Sequence, residues 1–222
     1  MKRYNGYFDH TLLKADATEK EILQICEEAK KYEFYAICVN ACYISFAKKQ
    51  LIDSKVKIAS VIGFPLGACG TETKVFETKW ACSQGAEEID MVIAVGALKD
   101  GRLDFVREDI RKVVETAKQS NAIVKVILET CLLNDTEIVI GCHLAEEAGA
   151  AFVKTSTGFS SGGATVHHVE LMKKTVGSSM QIKASGGIRT LETMKKMIEA
   201  GADRIGASAS VAILKENEEK DS

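Results

Sequence analysis

The chain has 222 residues and a formal net charge of −2, with 46% hydrophobic and 27% charged residues. This length suffices for one domain with a full core, and the balance of 29 basic and 31 acidic side chains argues against a dedicated nucleic-acid binder. The N-terminal residues lack the apolar segment of a signal peptide, and apolar runs such as 91–98 are far too short to span a bilayer. We therefore expect an ordinary globular protein of the cytoplasm, without a membrane partner.

Short apolar segments alternate with amphipathic helical patterns from one end of the chain to the other. The predicted strands are 6–9, 34–39, 56–64, 87–94, 123–129, 151–155, 181–185 and 203–208. The predicted helices are 18–32, 41–51, 72–84, 103–120, 135–148, 165–176, 190–200 and 208–217. Thr18, with Glu21 three residues later, predicts a capping box at the start of the first helix. The polar residues 215–222 are expected to form a frayed tail.

The alternation of strands and helices predicts the fold. Eight β–α units without a break in composition favour a single-domain (β/α)8 TIM barrel over residues 1–222. A doubly wound open sheet is the alternative, but it usually needs fewer strands, and no predicted strand is followed by a GxGxxG dinucleotide motif. Active sites of barrels lie at the C-terminal ends of the strands, so polar residues at those ends are the functional candidates.

Two lysines near the end of the chain carry the strongest chemical signal. Lys154 and Lys183 lie in neighbouring predicted strands, and each is followed by small or hydroxyl residues. An ammonium group is costly to desolvate, and two that face one pocket repel each other. The lysine with the lower pKa would then be a usable nucleophile near neutral pH. The pair indicates imine chemistry on a phosphorylated carbonyl compound.

Other polar residues in the predicted strands have a structural and a functional interpretation. Asp90 lies inside an apolar run and needs a cationic partner, either in a structural ion pair or as an acid–base group that faces the lysines. Lys125 lies near the start of its strand, so we expect a structural or snorkelling role at the bottom of the barrel. Glu129 and Thr130 could simply cap the next helix. His10 is predicted at the mouth of the pocket, with no evident relay partner.

Three late loops are rich in glycine and serine, at 155–165, 185–190 and 206–210, and each opens a predicted helix. Backbone N–H groups at a helix start bind a phosphate dianion, and loops after strands 7 and 8 often do so in barrels. Ordinary turn formation is the alternative, since Gly and Ser also make turns. Three such loops in consecutive units favour phosphate.

The seven cysteines point to reduced thiols, because their number is odd and no CxxC pair occurs. Cys38 and Cys42 are four residues apart without a nearby histidine, which is a poor zinc pattern, and no metal or cofactor is expected. Cys38 ends the second predicted strand. It is either a pocket thiol that reacts with aldehydes or a buried thiol that never meets substrate.

A wider pattern runs through the predicted strand ends. Its segments are DHTLL (9–13), ICVN (37–40), VIGFPLGA (61–68), EIDMVI (88–93), KVILET (125–130), FVKTSTGF (152–159), IKASGGIR (182–189) and RIGAS (204–208). Together, in this order and over nearly the whole chain, they resemble the deoxyribose-phosphate aldolase family. The resemblance implies a (β/α)8 class I aldolase of deoxyribose phosphate catabolism. Such enzymes reversibly cleave 2-deoxy-D-ribose 5-phosphate to D-glyceraldehyde 3-phosphate and acetaldehyde, without a metal or other cofactor.

The resemblance also assigns roles to residues. It makes Lys154 the Schiff-base lysine, Lys183 the second lysine and Asp90 the catalytic aspartate. The implied phosphate-binding positions are Gly158, Gly186, Gly187, Gly206 and Ser208, and the candidate pocket wall is Asp9, Thr11 and Cys38.

One position departs from the family's pattern. The last loop of the family often has paired serines, whereas Ala209 follows Ser208 here. Phosphate held by backbone amides would be unaffected, but a missing hydroxyl would weaken binding if it is needed. The loop after Lys154 supplies no lysine, which leaves Arg189 as the only cation expected near the phosphate.

Two other classes of function remain open at this point. One is a different phosphate-binding barrel, such as a sugar-phosphate isomerase or another imine-forming aldolase. The other is a barrel that senses a phosphorylated metabolite or has a structural role, although stability alone does not favour three ionisable groups at strand ends. The expected partners are a small phosphorylated sugar and acetaldehyde. The sequence does not fix the oligomeric state, and a homodimer is one candidate.

Overall fold

Eight short segments rich in β-branched and small apolar residues form parallel strands that close into a barrel. The computed structural model describes residues 4–220. The strands are β1 (Phe8–Leu12), β2 (Ala36–Val39), β3 (Lys57–Ile62), β4 (Glu88–Val92), β5 (Ile123–Ile127), β6 (Phe152–Lys154), β7 (Gln181–Ser185) and β8 (Arg204–Ala207). They follow one another around the barrel in chain order, and β8 pairs with β1. The predicted single-domain (β/α)8 barrel is confirmed, and the open sheet is excluded.

Helices connect the strands on the outside of the barrel. They are α1 (Glu19–Lys31), α2 (Ile44–Gln50), α3 (Thr71–Gln84), α4 (Val95–Lys99), α5 (Leu103–Lys118), α6 (Asp135–Glu147), α7 (Val166–Val176), α8 (Leu191–Glu199) and α9 (Ser210–Lys220). The predicted capping box is present at α1, where the Thr18 side chain accepts a bond from the Glu21 backbone and the Glu21 side chain accepts one from the Thr18 backbone. None of the helices in the described part of the chain is long and apolar enough to cross a membrane.

Most boundaries differ from the prediction by a few residues, and three differences have an evident physical reason. The first strand begins at Phe8 rather than at residue 6, because residues 5–7 form a 3₁₀ turn and pairing with β2 begins at Asp9. The short helix α4 was not predicted, since it lies within an apolar run that has no helical period. Residues 215–220, which the prediction placed in the tail, continue α9; Leu214 is buried, and the Glu216 carboxylate accepts a hydrogen bond from the Leu191 backbone. Residues 221–222 of the predicted tail lie outside the described residues.

Side chains along each strand alternate between the helix-facing side of the sheet and the inside of the barrel. Outward side chains such as Ile37, Ile89 and Ile205 pack against the helices in one large apolar cluster. Inward side chains of β1 and β4–β8 include charged groups that are bonded to one another, and those of β2 and β3 contribute to a small separate apolar cluster. Since side chains of a strand alternate between its faces, the short strands of this sequence supply both an apolar shell and a polar centre.

Candidate active site

The two lysines singled out from the sequence meet at one carboxylate inside the barrel. The Lys154 Nζ lies 2.8 Å from Asp90 Oδ2, and the Lys183 Nζ lies 2.7 Å from the same oxygen. The pairing of β6 with β7 sets Lys154 beside Lys183, while Asp90 reaches them from β4. The structure therefore brings all three predicted catalytic residues into direct contact.

The ion pairs continue below these three residues. The Lys125 Nζ lies 2.7 Å from Asp90 Oδ1. Lys183 also donates a hydrogen bond to Asp9, whose other oxygen lies 2.8 Å from the Arg204 guanidinium. The charged members of this buried network are Asp9, Glu88, Asp90, Lys125, Lys154, Lys183 and Arg204.

Among the basic side chains of the network, Lys154 is the one whose pKa is lowered. The network has four cationic side chains against three carboxylates, so one cation is in excess when all are charged. Burial lowers the pKa of Lys154, and repulsion from Lys183 adds to this effect, while attraction to Asp90 opposes it. Burial also disfavours the charged form of Lys183, but attraction to Asp9 and Asp90 outweighs it and raises that pKa. Lys154 is therefore the member of the network that gives up a proton most readily.

The carboxylates of the network stay ionised. Burial by itself would raise the pKa of Asp90, but the three surrounding lysines outweigh it and hold that pKa well below its usual range. The pKa of Asp9 is likewise lowered, because Lys183, Lys125 and Arg204 outweigh the effect of burial. Asp90 is thus an anion in direct contact with Lys125, Lys154 and Lys183, and its hydrogen bonds connect the groups between which a proton could be relayed.

A cavity of about 230 Å³ opens above Lys154 at the C-terminal ends of the strands. Lys154 is part of its wall, and the loops after β6, β7 and β8 surround it. All five predicted phosphate positions line this cavity, namely Gly158, Gly186, Gly187, Gly206 and Ser208. Thr11, predicted for the wall, also lines it. Asp9 and Cys38, also predicted for the wall, are fully buried and do not line the cavity. Burial raises the pKa of the Cys38 thiol.

A close backbone approach fixes the loops after β6 and β7 against each other. A Cβ atom on Gly163 would lie 2.2 Å from the Gly186 carbonyl oxygen, and the Ala164 N–H donates to that oxygen at 3.0 Å. Only glycine fits at position 163. In the sequence, Gly162 and Gly163 are simply two further glycines of the loop after β6. Their contact with the loop after β7 is a long-range feature that the sequence does not predict.

The cavity also contains residues that the sequence did not single out. Lys14, Thr157 and Arg189 all line it. Lys14 is thus a second cation at the cavity, besides the expected Arg189. Lys14 lies just after the first strand, and its position in a strand-end loop was the signal that could have found it. Within residues 4–220, no group of His, Cys, Asp and Glu side chains is arranged to hold a metal ion.

Three further interpretations change. Lys125 does not snorkel, because it is completely buried and bonds directly to Asp90. His10 points away from the cavity and has a partner, the Glu28 carboxylate of α1 at 2.7 Å, and burial lowers the pKa of His10. Glu129 makes no capping bond to the following 3₁₀ turn. Its side chain instead accepts hydrogen bonds from the backbone and hydroxyl of Thr157.

Glu129 is expected to position the wall of the cavity. It is buried, has a left-handed backbone with φ of 58°, and holds Thr157, whose hydroxyl accepts a bond from the Phe159 N–H at 3.0 Å. Glu129→Ala should leave these groups without their acceptor, at a cost of about 1–3 kcal/mol, and should raise KM more than it lowers kcat. Glu129→Gln retains an acceptor and is the matched control. Equal kinetics in the alanine and glutamine variants would contradict this role.

A (β/α)8 barrel with a cavity at the C-terminal strand ends and ionisable groups at its floor has the architecture of a barrel enzyme. The sequence model of the DeoC/LacD family of aldolases matches residues 5–216, and the chain belongs to this family. It is therefore an aldolase, which excludes the sensor, structural and isomerase alternatives.

Two relatives and a solved structure agree with this placement. The chain is 59% identical to the deoxyribose-phosphate aldolase of Clostridium novyi over 210 residues, covering 95% of this chain and 94% of the relative. It is 59% identical over 216 residues to the deoxyribose-phosphate aldolase of Streptococcus sanguinis, covering 97% of each. The tetrameric deoxyribose phosphate aldolase of Aeropyrum pernix superposes with a TM-score of 0.91 at 33% identity, covering 96% of this chain and 90% of that one.

Proposed function

We propose that this chain is a class I aldolase that reversibly cleaves 2-deoxy-D-ribose 5-phosphate to D-glyceraldehyde 3-phosphate and acetaldehyde through an imine on Lys154. The observation that carries the proposal is the position of Lys154. It lies in the wall of the cavity, its ammonium shares one Asp90 oxygen with Lys183, and its pKa is lowered. The substrate named for the relatives is consistent with the glycine-rich loops around the same cavity.

The proposed reaction begins with neutral Lys154. Its nitrogen attacks the C1 aldehyde, and loss of water gives a protonated imine. The imine draws the electron pair of the C2–C3 bond as a base removes the proton of the C3 hydroxyl, so glyceraldehyde 3-phosphate leaves and an enamine remains. Protonation of the enamine carbon and hydrolysis release acetaldehyde and restore the lysine.

Proton transfer in this sequence is assigned to Asp90 together with Lys183 and a water molecule. Asp90 contacts both lysines, so its hydrogen bonds can relay a proton between Lys154, Lys183 and the water molecule, and its lowered pKa favours rapid return of that proton. Lys183 stays charged and serves as the cation that keeps Lys154 neutral. General acid–base help of this kind contributes roughly 10²–10⁴ in rate.

The phosphate is assigned to the backbone N–H groups of residues 186–187 and 206–208. These segments line the cavity and lead into α8 and α9, whose N-terminal ends attract an anion. Lys14 and Arg189 line the same cavity and add positive charge. The site would thus bind a dianion mainly through dipoles, with two cations nearby.

Gly187→Val is expected to raise the KM for deoxyribose 5-phosphate strongly and to affect unphosphorylated deoxyribose much less. A Cβ atom at this position meets no atom within 4 Å, so the new side chain would project into open space in the phosphate region. The positive φ of 78° adds strain, so the variant must be shown to be folded. Ser208→Ala should be mild, costing about 1 kcal/mol for one hydrogen bond. Equal harm to both substrates in a folded Gly187→Val would place the phosphate elsewhere.

Reductive trapping tests the proposal directly. Borohydride added with acetaldehyde should attach a two-carbon group to the peptide that contains Lys154, and omission of acetaldehyde is the control. A label on Lys183 or Lys125 instead would contradict the assignment. A coupled assay with deoxyribose 5-phosphate tests the substrate, because a different imine-forming aldolase would trap at Lys154 without turning over this sugar.

This reaction consumes a deoxyribose phosphate, so we assign it to deoxyribose phosphate catabolism in the cytoplasm. The free thiols among the described residues are compatible with a reducing compartment.

A further inference from the structure

The end of the buried network farthest from the cavity consists of Arg204 and Glu88. Arg204 begins β8 and Glu88 begins β4, at the N-terminal end of the barrel. The Arg204 Nη1 lies 2.8 Å from Asp9 Oδ1 and 3.4 Å from Glu88 Oε2, and Glu88 also pairs with Lys125. The Arg204 guanidinium stacks on the Tyr35 ring at 3.5 Å. Neither residue lines the cavity, so neither can touch a substrate bound there.

We propose that Arg204 and Glu88 are positioning residues that act on Lys154 through the buried ion pairs, with opposite sign, and so set the pH at which the enzyme becomes reactive. The inference rests on the proposed function, in which neutral Lys154 attacks the substrate. It assigns a catalytic consequence to the face of the barrel that usually serves stability alone.

An unbroken chain of contacts connects the two ends. Arg204 occupies one oxygen of Asp9 and leaves the other to Lys183, and Lys183 in turn shares an Asp90 oxygen with Lys154. Lys154, Lys183 and Arg204 are register partners on three successive strands. Two strand spacings separate Lys154 from Arg204, which is about 10 Å. The interior has a low dielectric constant, so a charge at this distance is still felt.

The surroundings of Lys154 contain few other charges that could mask the effect. The groups that titrate or carry charge around it are Asp90 and Glu88 on β4, Lys183 on β7, Arg204 on β8, Asp9 on β1, Lys125 on β5, Cys38 on β2, and Lys14 and Arg189 at the cavity. Burial keeps the Cys38 thiol neutral by raising its pKa. When Lys154 is protonated, the other six charges of the network, three of each sign, balance one another. Removal of one of those six therefore changes the net charge that Lys154 meets by one unit.

The signs follow from this balance. Arg204→Met removes a cation, so a protonated Lys154 is repelled less and loses its proton at a higher pH. Glu88→Gln removes an anion and keeps the shape, so a protonated Lys154 is favoured less and loses its proton at a lower pH. A unit charge about 10 Å away at an effective dielectric constant of about 20 shifts the titration by about one pH unit.

The test measures the rate at which acetaldehyde is trapped on Lys154 by cyanoborohydride, as a function of pH, in the full-length protein. We expect the midpoint to rise by about one pH unit in Arg204→Met and to fall by a similar amount in Glu88→Gln. Arg204→Lys keeps the charge and should stay near the wild type. The double variant Arg204→Met/Glu88→Gln should also return toward the wild-type midpoint, because its network again has one excess cation.

The possible outcomes separate this inference from the proposed function. Wild-type protein that is not labelled at Lys154 contradicts the proposed function itself. Labelling at Lys154 with midpoints that do not move, or that move in the same direction in both single variants, overturns the role of Arg204 and Glu88 alone. A loss of stability would change the trapping rate of both variants in the same direction. Opposite shifts of the pH midpoint are therefore not produced by a structural role. If one single variant does not fold, the other and Arg204→Lys still give a signed result.

Discussion

Lys154→Met is expected to abolish aldol cleavage while leaving the barrel at least as stable as the wild type. Methionine cannot form an imine, so the covalent route is lost and turnover should fall by at least about 10⁴-fold. Methionine fills nearly the same volume, and its apolar chain needs no partner at this buried position. The remaining network has three cations and three carboxylates, so removal of this lysine takes away the excess charge rather than breaking the balance.

Activity and thermal unfolding measured on the same preparation check this expectation. The Tm should be unchanged or higher, since Asp90 keeps Lys125 and Lys183 as partners and the cost of burying a third ammonium is removed. The exposed lysine variant Lys118→Met is the matched control for activity. A folded Lys154→Met protein that retains cleavage above the uncatalysed level would show that another residue carries the imine.

The sequence was sufficient for the fold and for the centre of the site. The alternation of eight strands and helices is local information, and so is the position of Lys154, Lys183 and Asp90 relative to the strand ends. Once the barrel was inferred, its geometry required that residues at those ends meet. Direct contact of the three side chains follows from that rule, without knowledge of the remaining packing.

What the sequence did not show depends on pairings between distant strands. Lys125 was assigned to the bottom of the barrel, yet its side chain bonds Asp90 because Asp90 and Lys125 are register partners on β4 and β5. The partnership of Asp9 with Arg204 joins residues 195 positions apart, and no local pattern encodes it. Register and side-chain reach, rather than residue type, decide these contacts.

The charged residues around the three predicted ones explain how a reactive lysine can be buried in the barrel. A single buried lysine would have its pKa lowered by burial but would also be costly to place there. Ion pairs around it offset part of that cost, while burial and the neighbouring Lys183 lower the pKa of Lys154. Reactivity is therefore a property of the whole network, and removal of any charged member should change it.

Lys183→Met is expected to raise the pKa of Lys154 and so to lower the fraction of neutral amine at pH 7. It removes the nearest positive charge, and the Asp90 oxygen that both lysines share is left to Lys154. Both changes raise the pKa of Lys154, the opposite direction to its present shift. Two unit charges about 5 Å apart at an effective dielectric constant of about 20 interact strongly enough to reduce the neutral fraction on the order of 10²-fold. Trapping of acetaldehyde at pH 7 should fall by the same factor.

The pH dependence separates the two roles of Lys183. Trapping on Lys154 should recover as the pH rises, because Lys154 without the neighbouring charge still loses its proton at a higher pH. Cleavage of deoxyribose 5-phosphate should recover less, since the proton transfers assigned to Asp90 with Lys183 lack one member. The upward shift should also exceed that of Arg204→Met, because Lys183 is one strand from Lys154 and Arg204 is two. A trapping profile in folded Lys183→Met that matches the wild type would show that Lys154 owes its reactivity to burial alone, and not to the charge beside it.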